Sequence, residues 1–288
     1  LGSNDDDLDS ALKLWLSATE NAVVIDNDSK VSAWYDLSGN GNHAIQTSDA
    51  RKATYNSTGL GTKPSIEFDG NNDYYAIKDK YYETKALNNV HIFSIVKANK
   101  VGDNKQIILS YDRSEYYRVA LIDDTVPNKI AFDTASQSNI NDMGTETNYA
   151  DNKTHIIHNY YEKDKTNNNK GIYVDGNVIV EGNDIHNSDG LGTTEKRYGF
   201  IGTGSEAASF NGATGPDDWL NGDLAELIII ETELSDAQIY KINHYLAKKW
   251  GLTASVDSDG DGVMDAGELA NESSPIKQDT DEDGFLDS

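Results

Sequence analysis

Gly171-Ile172-Tyr173-Val174-Asp175-Gly176-Asn177-Val178-Ile179-Val180 reads as two short apolar runs joined at Asp-Gly. Asp-Gly supplies the positive φ that a tight primed turn demands, so this stretch predicts a β-hairpin. Similar runs lie upstream at 65–68, 90–96, 106–110, 118–122, 129–132 and 154–161, and downstream at 198–201 and 224–230. Nearly all are short, rich in Val, Ile, Tyr or Phe, and bounded by Gly, Asn or Asp. Leu12, Leu14 and Leu16 alternate with Lys13, Trp15 and Ser17, as in a strand with one buried face. Pro is scarce and there are 16 Tyr. The pattern predicts an all-β antiparallel sandwich. Its 288 residues suit one large β domain with an appendage, or two modest domains.

One helix interrupts the strands. Ser235-Asp236-Ala237-Gln238 has the form of a capping box. Ile239, Ile242, Leu246 and Trp250 then recur at helical spacing, with Tyr245 beside them. Lys248 and Lys249 suit the negative end of the helix dipole, and Gly251 suits its exit. An apolar stripe of this kind reads as a brace packed on the sandwich.

Lys plus Arg number 24 against 49 Asp plus Glu, a net charge of −25. Such a surface repels nucleic acid and anionic lipid and favours cations. There is no Cys, which removes disulfides and thiolate metal sites and fits an exported bacterial protein better than a small eukaryotic secreted domain. No apolar run approaches 18 residues, so membrane insertion is not expected. The chain begins at Leu1 rather than Met, as expected of a piece of a longer polypeptide.

Residues 1–10 read as an acidic linker, and 11–252 as the sandwich. From 253 to 288 the composition shifts: residues 257–288 carry eleven Asp or Glu against one Lys. That segment cannot bury a core of its own and must be disordered or organised by metal. Asp257-Ser258-Asp259-Gly260-Asp261-Gly262-Val263-Met264-Asp265-Ala266-Gly267-Glu268 follows the twelve-residue calcium-loop pattern. Side-chain ligands fall at Asp257, Asp259, Asp261, Asp265 and Glu268, with Val263 offering its carbonyl. Calcium is a hard ion that takes six to eight oxygens. Alternate residues set carboxylates around it, and Gly262 permits the sharp bend. A second run repeats the pattern through Asp279, Asp281, Asp283, Gly284, Phe285 and Asp287, with no position twelve, and reads as half of a site.

Neither loop has helix-length apolar flanks, which excludes an EF-hand pair. The last 32 residues resemble the thrombospondin type 3 calcium repeat, which implies a calcium-stiffened spacer. Leu8-Asp9-Ser10 matches Leu286-Asp287-Ser288, as in a tandem array of modules.

The body carries further motifs: Leu14-Trp15-Leu16-Ser17-Ala18, then Trp34-Tyr35-Asp36-Leu37-Ser38-Gly39-Asn40-Gly41-Asn42-His43-Ala44, then Pro64-Ser65-Ile66-Glu67-Phe68-Asp69-Gly70. Asn221-Gly222-Asp223-Leu224-Ala225-Glu226-Leu227-Ile228-Ile229 and the Ser235 helix close it. Together these resemble the laminin G-like, concanavalin A-like lectin and glucanase superfamily, in its bacterial form. The resemblance implies a jelly-roll sandwich of two antiparallel sheets. Functionally it leaves open a glycan-binding module, a protein-binding module and a domain that only holds others apart.

Two loops hold the ingredients of a sugar site, an aromatic plate beside polar groups. They are Asp73-Tyr74 and the Asp217-Asp218-Trp219 end of the loop from Asn211. The plainer alternative for each is a polar loop whose aromatic anchors in the core. Likewise His43 reads either as a contact for metal or sugar or as a buried, hydrogen-bonded residue, and Asp36, Asp69 and Asp223 as turn residues. The paired carboxylates of a glycosidase are not found on one apolar strand: Glu226 and Glu231 only flank the run 227–230. The expectation is a non-enzymatic, calcium-dependent carbohydrate-binding or adhesion module of a secreted or surface bacterial protein, partnered by a glycan or cell-surface ligand and by neighbouring modules; the alternatives are a structural or protein-interaction spacer and a polysaccharide-degrading enzyme.

Overall fold

A computed structural model of the chain describes residues 6–83, 87–99, 105–122, 129–136, 139–184, 190–215 and 218–287. A short helix α1 (Asp6–Ala11) leads into strands β1 (Leu12–Ser17), β2 (Val23–Ile25), β3 (Val31–Trp34) and β4 (Ala44–Ile45). Next come β5 (Thr54–Asn56), β6 (Ser65–Asp69), β7 (Tyr75–Tyr82) and β8 (Asn89–Asn99). β9 (Gln106–Ser110), β10 (Tyr117–Ile122), β11 (Ala131–Ser136) and β12 (Asn139–Gly144) form a meander. β13 (Asp151–Glu162), β14 (Lys170–Val174), β15 (Asn177–Gly182), β16 (Arg197–Ile201) and β17 (Asn221–Ile230) complete the strands. Helices α2 (Asp236–Trp250) and α3 (Asp265–Asn271) follow.

The strands form two antiparallel sheets. One runs β15-β14-β13-β8-β17-β6-β5 with β1 beside β17, and the other runs β12-β11-β10-β9-β16-β7-β4-β3-β2. Leu14, Leu16, Trp34, Phe68, Tyr75, Phe93, Val119, Phe132 and Ile201 fill the space between them. This is the antiparallel sandwich that the strand pattern predicts, of the jelly-roll type that the family resemblance implies. The Asp175-Gly176 hairpin joins β14 to β15, with both turn residues at positive φ.

The Trp34–Ala44 motif proves to be a staple. Asp36 accepts hydrogen bonds from the amides of Trp15, Ser38 and Asn42, each at 2.9 Å. The side-chain amides of Asn40 and Asn42 donate to the carbonyls of Leu12 and Lys13. The loop thereby satisfies β1's free edge. His43 is half-buried and accepts from the Asp36 amide through Nδ1, so it serves this loop. Asp69 is a turn residue, accepting from the amides of Asn71 and Asn72. Asp223 instead lies on β17, held by the Ser65 hydroxyl at 2.5 Å.

Helix α2 begins with the full capping box at Ser235 and exits through Gly251 at φ +75. It braces the far side of the first sheet through Ile242, Leu246 and Trp250. Glu226 on β17 lies beneath it, 1% exposed. Its carboxylate accepts from the Trp15 indole at 2.6 Å and the Trp250 indole at 2.5 Å, and pairs with Lys249 at 2.7 Å.

Beside the start of α2, His91 Nδ1 and His158 Nε2 lie 3.0 Å apart, and His91 Nε2 lies 3.1 Å from Glu162. His158 stacks on Phe93 at 4.0 Å. Burial holds both imidazoles below their ordinary pKa, His158 well below. A depressed folded pKa gives stability that is present above pH ~6.5 and lost as pH falls through the folded value. Comparing His158→Phe with the parent cancels the other titrating groups. We expect the variant's urea-unfolding free energy to fall less steeply below pH ~6.5, by up to about 1.4 kcal/mol per pH unit. Equal slopes would contradict a neutral buried His158.

The segment after α2 does not hang free. Val256 is part of the main core, and the Asp257 amide donates to the Asp175 carbonyl of the hairpin turn. A Cβ on Gly176, at φ +88, would sit 1.6 Å from the Asp257 carbonyl oxygen, so only glycine allows this docking. The Asn243 side chain donates to the Ser258 carbonyl, and His244 Nδ1 meets Asp265 at 2.8 Å. At the other end, the acidic linker read over 1–10 becomes helical from Asp6, and Leu8 packs on the core. The matching Leu286-Asp287 is not helical.

Candidate functional site

The acidic loop closes as its spacing predicts. Asp257 accepts from the amides of Gly260 at 2.8 Å and Gly262 at 3.0 Å, while Asp261 accepts from Val263. Gly262 holds φ +107, which a side chain would strain. Asp257, Asp259 and Asp261 bring oxygens within 4.8 Å of one another. Glu268, on the first turns of α3, is fully buried, and both its carboxylate oxygens lack a hydrogen-bond partner among the described residues. Asp259 Oδ2 and Asp261 Oδ2 are buried in the same condition. Burial and the Asp259 and Asp261 charges push the Glu268 carboxyl up to about 8. Burial and Asp261 push Asp259 to about 6, and burial raises Asp257. Buried carboxylate oxygens without donors are costly unless a cation meets them. The donor set is all oxygen, which fits a hard ion such as calcium.

Asp265 takes a different role from the ligand read at position nine. Its two oxygens accept from the Ser258 amide and hydroxyl, each at 2.9 Å, and it also faces His244. The second loop repeats this: Asp287 accepts from the Thr280 amide at 3.1 Å and hydroxyl at 2.5 Å. The hydroxyl at position two is the loop's hidden partner. Gly284 donates to Asp279 at 2.9 Å, and Asp279, Asp281 and Asp283 cluster with oxygens within 4.8 Å. Phe285 is 78% exposed, with its amide on Asp283. Asp287 also lies within 4.8 Å of Asp261 and Glu268, so the second run folds back onto the first.

The two loops with sugar-site ingredients converge, but not as two exposed plates. Tyr74 is buried, donating to Asn211 at 2.6 Å, and its ring lies 6.3 Å from that of Trp219. Trp219 is half-buried in the same aromatic cluster as Phe200. Asp73 is buried, accepts from the Asp69 amide, and is pushed to about 6 by burial and Asp69. Tyr74 and Asp73 therefore anchor the fold rather than offer a surface to sugar. Asp217 lies outside the described residues. Asp218 alone of this set lines a cleft, of about 230 Å³.

That cleft lies on the outward face of the second sheet. On β10, Tyr117, Val119 and Leu121 point into the core, so Arg118 points away from it. Yet Arg118 is only 5% exposed, and its partner Asp133 on β11 is fully buried. Gly204, Ser205, Glu206, Gly215 and Asp218 face Arg118 across the cleft, held where the Leu220 amide donates to the Gly202 carbonyl and Gly215 donates to Gly204 at 2.7 Å. Arg118 Nη2 lies 2.7 Å from Asp133, and Asp218 faces Arg118 at 4.0 Å. Lys105, Ser110, Asp112, Arg113, Ser205 and Glu206 are also in the lining. A charged residue alternating with core residues in Tyr117-Arg118-Val119 and Phe132-Asp133-Thr134 is the sequence signal for this cleft.

No protein-family model matches the sequence, and neither does any curated protein. Among solved structures, the chain is similar to a botulinum neurotoxin type C structure concerned with cell entry through two ganglioside molecules, at 12% identity and a TM-score of 0.55. That match covers 84% of this chain and 53% of the other, so the chain spans about half the length of the neurotoxin chains it matches. A binding domain of botulinum neurotoxin DC, in complex with SialylT, matches at 14% identity and a TM-score of 0.54, over 83% of this chain and 52% of that one. Domain 4 of an extracellular arabinanase from Geobacillus stearothermophilus, in complex with arabinotriose, matches at 14% identity and a TM-score of 0.53. There the match covers 79% of this chain and 95% of that domain. The likeness shows a shared antiparallel β-sandwich fold.

Proposed function

We propose that the sandwich is a carbohydrate-binding module whose seat is the outward cleft of the second sheet, with a calcium loop clasped to its side. The observation that carries this reading is the buried Arg118–Asp133 pair on an outward strand face, beside an open polar cleft that Arg118 lines with Ser205, Glu206 and Asp218. A buried polar group is the informative departure from ordinary burial, and a cleft with convergent polar groups is where a ligand site is first sought. Sandwiches of this shape bind arabinotriose and gangliosides in other proteins, which supports a sugar as the ligand. The module acts by adhesion rather than catalysis: Glu226 is consumed by two indoles and Lys249, and Glu231 by Tyr82 and Lys80. Its place is an exported bacterial protein, where the acidic, Cys-free composition and free extracellular calcium agree. When bound, calcium would be held by Asp257, Asp259, Asp261 and Glu268. In the spacer-like repeats that the tail resembles, it would stiffen the passage to the next module.

A glycan array probed in calcium tests this. At least one saccharide should be retained, and Asp218→Asn or the exposed Glu206→Ala should cut retention by about tenfold. Retention of no saccharide would sink the reading in favour of a purely structural module.

A further inference from the structure

Resting on that reading, we infer that the cleft takes a neutral sugar ring rather than a sialic acid, uronic acid or sulfated residue. Its guanidinium groups already carry carboxylates. Arg113 pairs with Asp142 at 2.5 Å and with Asp133 at 3.3 Å. Arg118 pairs with Asp133 at 2.7 Å and faces Asp218 at 4.0 Å. Behind the rim, Arg197 pairs with Asp112 at 2.6 Å. Of the lining side chains, Lys105, Arg113 and Arg118 are positive and Asp112, Glu206 and Asp218 negative, so the wall is balanced. Asp133 and Asp142 behind it tip the site towards negative.

An anionic sugar entering here loses its hydration and meets no excess cation, and the net charge of −25 repels it on approach. A neutral ring suits the same wall. Each sugar hydroxyl donates and accepts, and the lining alternates carboxylate acceptors with guanidinium and serine donors. The volume, about 230 Å³, is below the usual range for drug-sized ligands, so one ring sits inside and the chain continues out of the open side.

Calorimetry of the calcium-loaded chain against neutral arabino-, gluco- and galacto-oligosaccharides, 3′-sialyllactose and oligogalacturonate tests this. The best neutral ligand should bind at least about tenfold tighter than either acidic one, and its affinity should hold as salt rises from about 50 to about 500 mM. Glu206→Lys, at an exposed position, should narrow that gap by raising acidic-sugar affinity. Tighter binding of an acidic sugar, or an affinity that collapses with salt, overturns the inference while leaving carbohydrate binding intact. Binding of none of the panel overturns the carbohydrate reading itself.

Discussion

Titrating the chelator-treated chain with calcium should reveal at least one site, and Glu268→Gln should weaken it by about 100-fold or more. Glu268, on α3, lies within 4.8 Å of Asp261 and Asp287, and the charges of Asp257 and Asp259 also act on it. Both its oxygens are buried without a donor, and its carboxyl is pushed to about 8 by burial and by those neighbours. The amide of the variant keeps the shape but offers one oxygen in place of a charged pair. The double variant Asp257→Ala with Asp261→Ala should abolish the site. Unchanged uptake in either variant would defeat the assignment. Binding to the native state alone also raises stability, by about 2.7 kcal/mol at a hundred times Kd. Because Val256 sits in the main core and Asp257 rests on Gly176, that gain should appear in the melting of the sandwich itself.

Glu226→Ala should destabilise the chain by about 3–5 kcal/mol, through loss of one partner from a buried ion pair. The carboxylate ties three elements together: Trp15 on β1, Glu226 itself on β17, and Lys249 and Trp250 on α2. Its removal leaves two indole N–H groups without their acceptor and Lys249, 20% exposed, without its counter-charge. For a domain of this size the melting temperature should fall by about 10 °C. Glu226→Gln keeps an acceptor and should lose less. A melting temperature unchanged in Glu226→Ala would show that the brace helix does not depend on this carboxylate.

The architecture was legible where local chemistry is self-contained. Asp175-Gly176 can only make its turn, Ser235 with Gln238 can only start a helix, and Leu224–Ile230 is apolar at every position but Glu226 because β17 is covered on both sides. The clustering of Asp257, Asp259 and Asp261 was legible for the same reason, since these acids come from one short segment. β7 was missed because its middle, Lys78-Asp79-Lys80, faces solvent or Glu231 and hides the apolar period. The hydrogen bonds of Asp265 to Ser258 at position two and its contact with His244 on α2 were not legible, because the ligand pattern mentions neither. Tyr74 carried the composition of a sugar plate, but only the fold shows Asn211 and Trp219 closing over it. The cleft was the least legible part. Arg118, Asp133 and Asp218 come from two strands and a distant loop, and no spacing rule joins them.

The most direct test of the sugar seat is a backbone-amide NMR titration of the calcium-loaded chain with the best saccharide from the array. The shifts should concentrate at Ser110, Arg118, Ser205, Glu206 and Asp218 around the cleft. Shifts confined to the Asp36–His43 staple, to the acidic tail, or to the edge strands would place the ligand elsewhere and contradict the assignment.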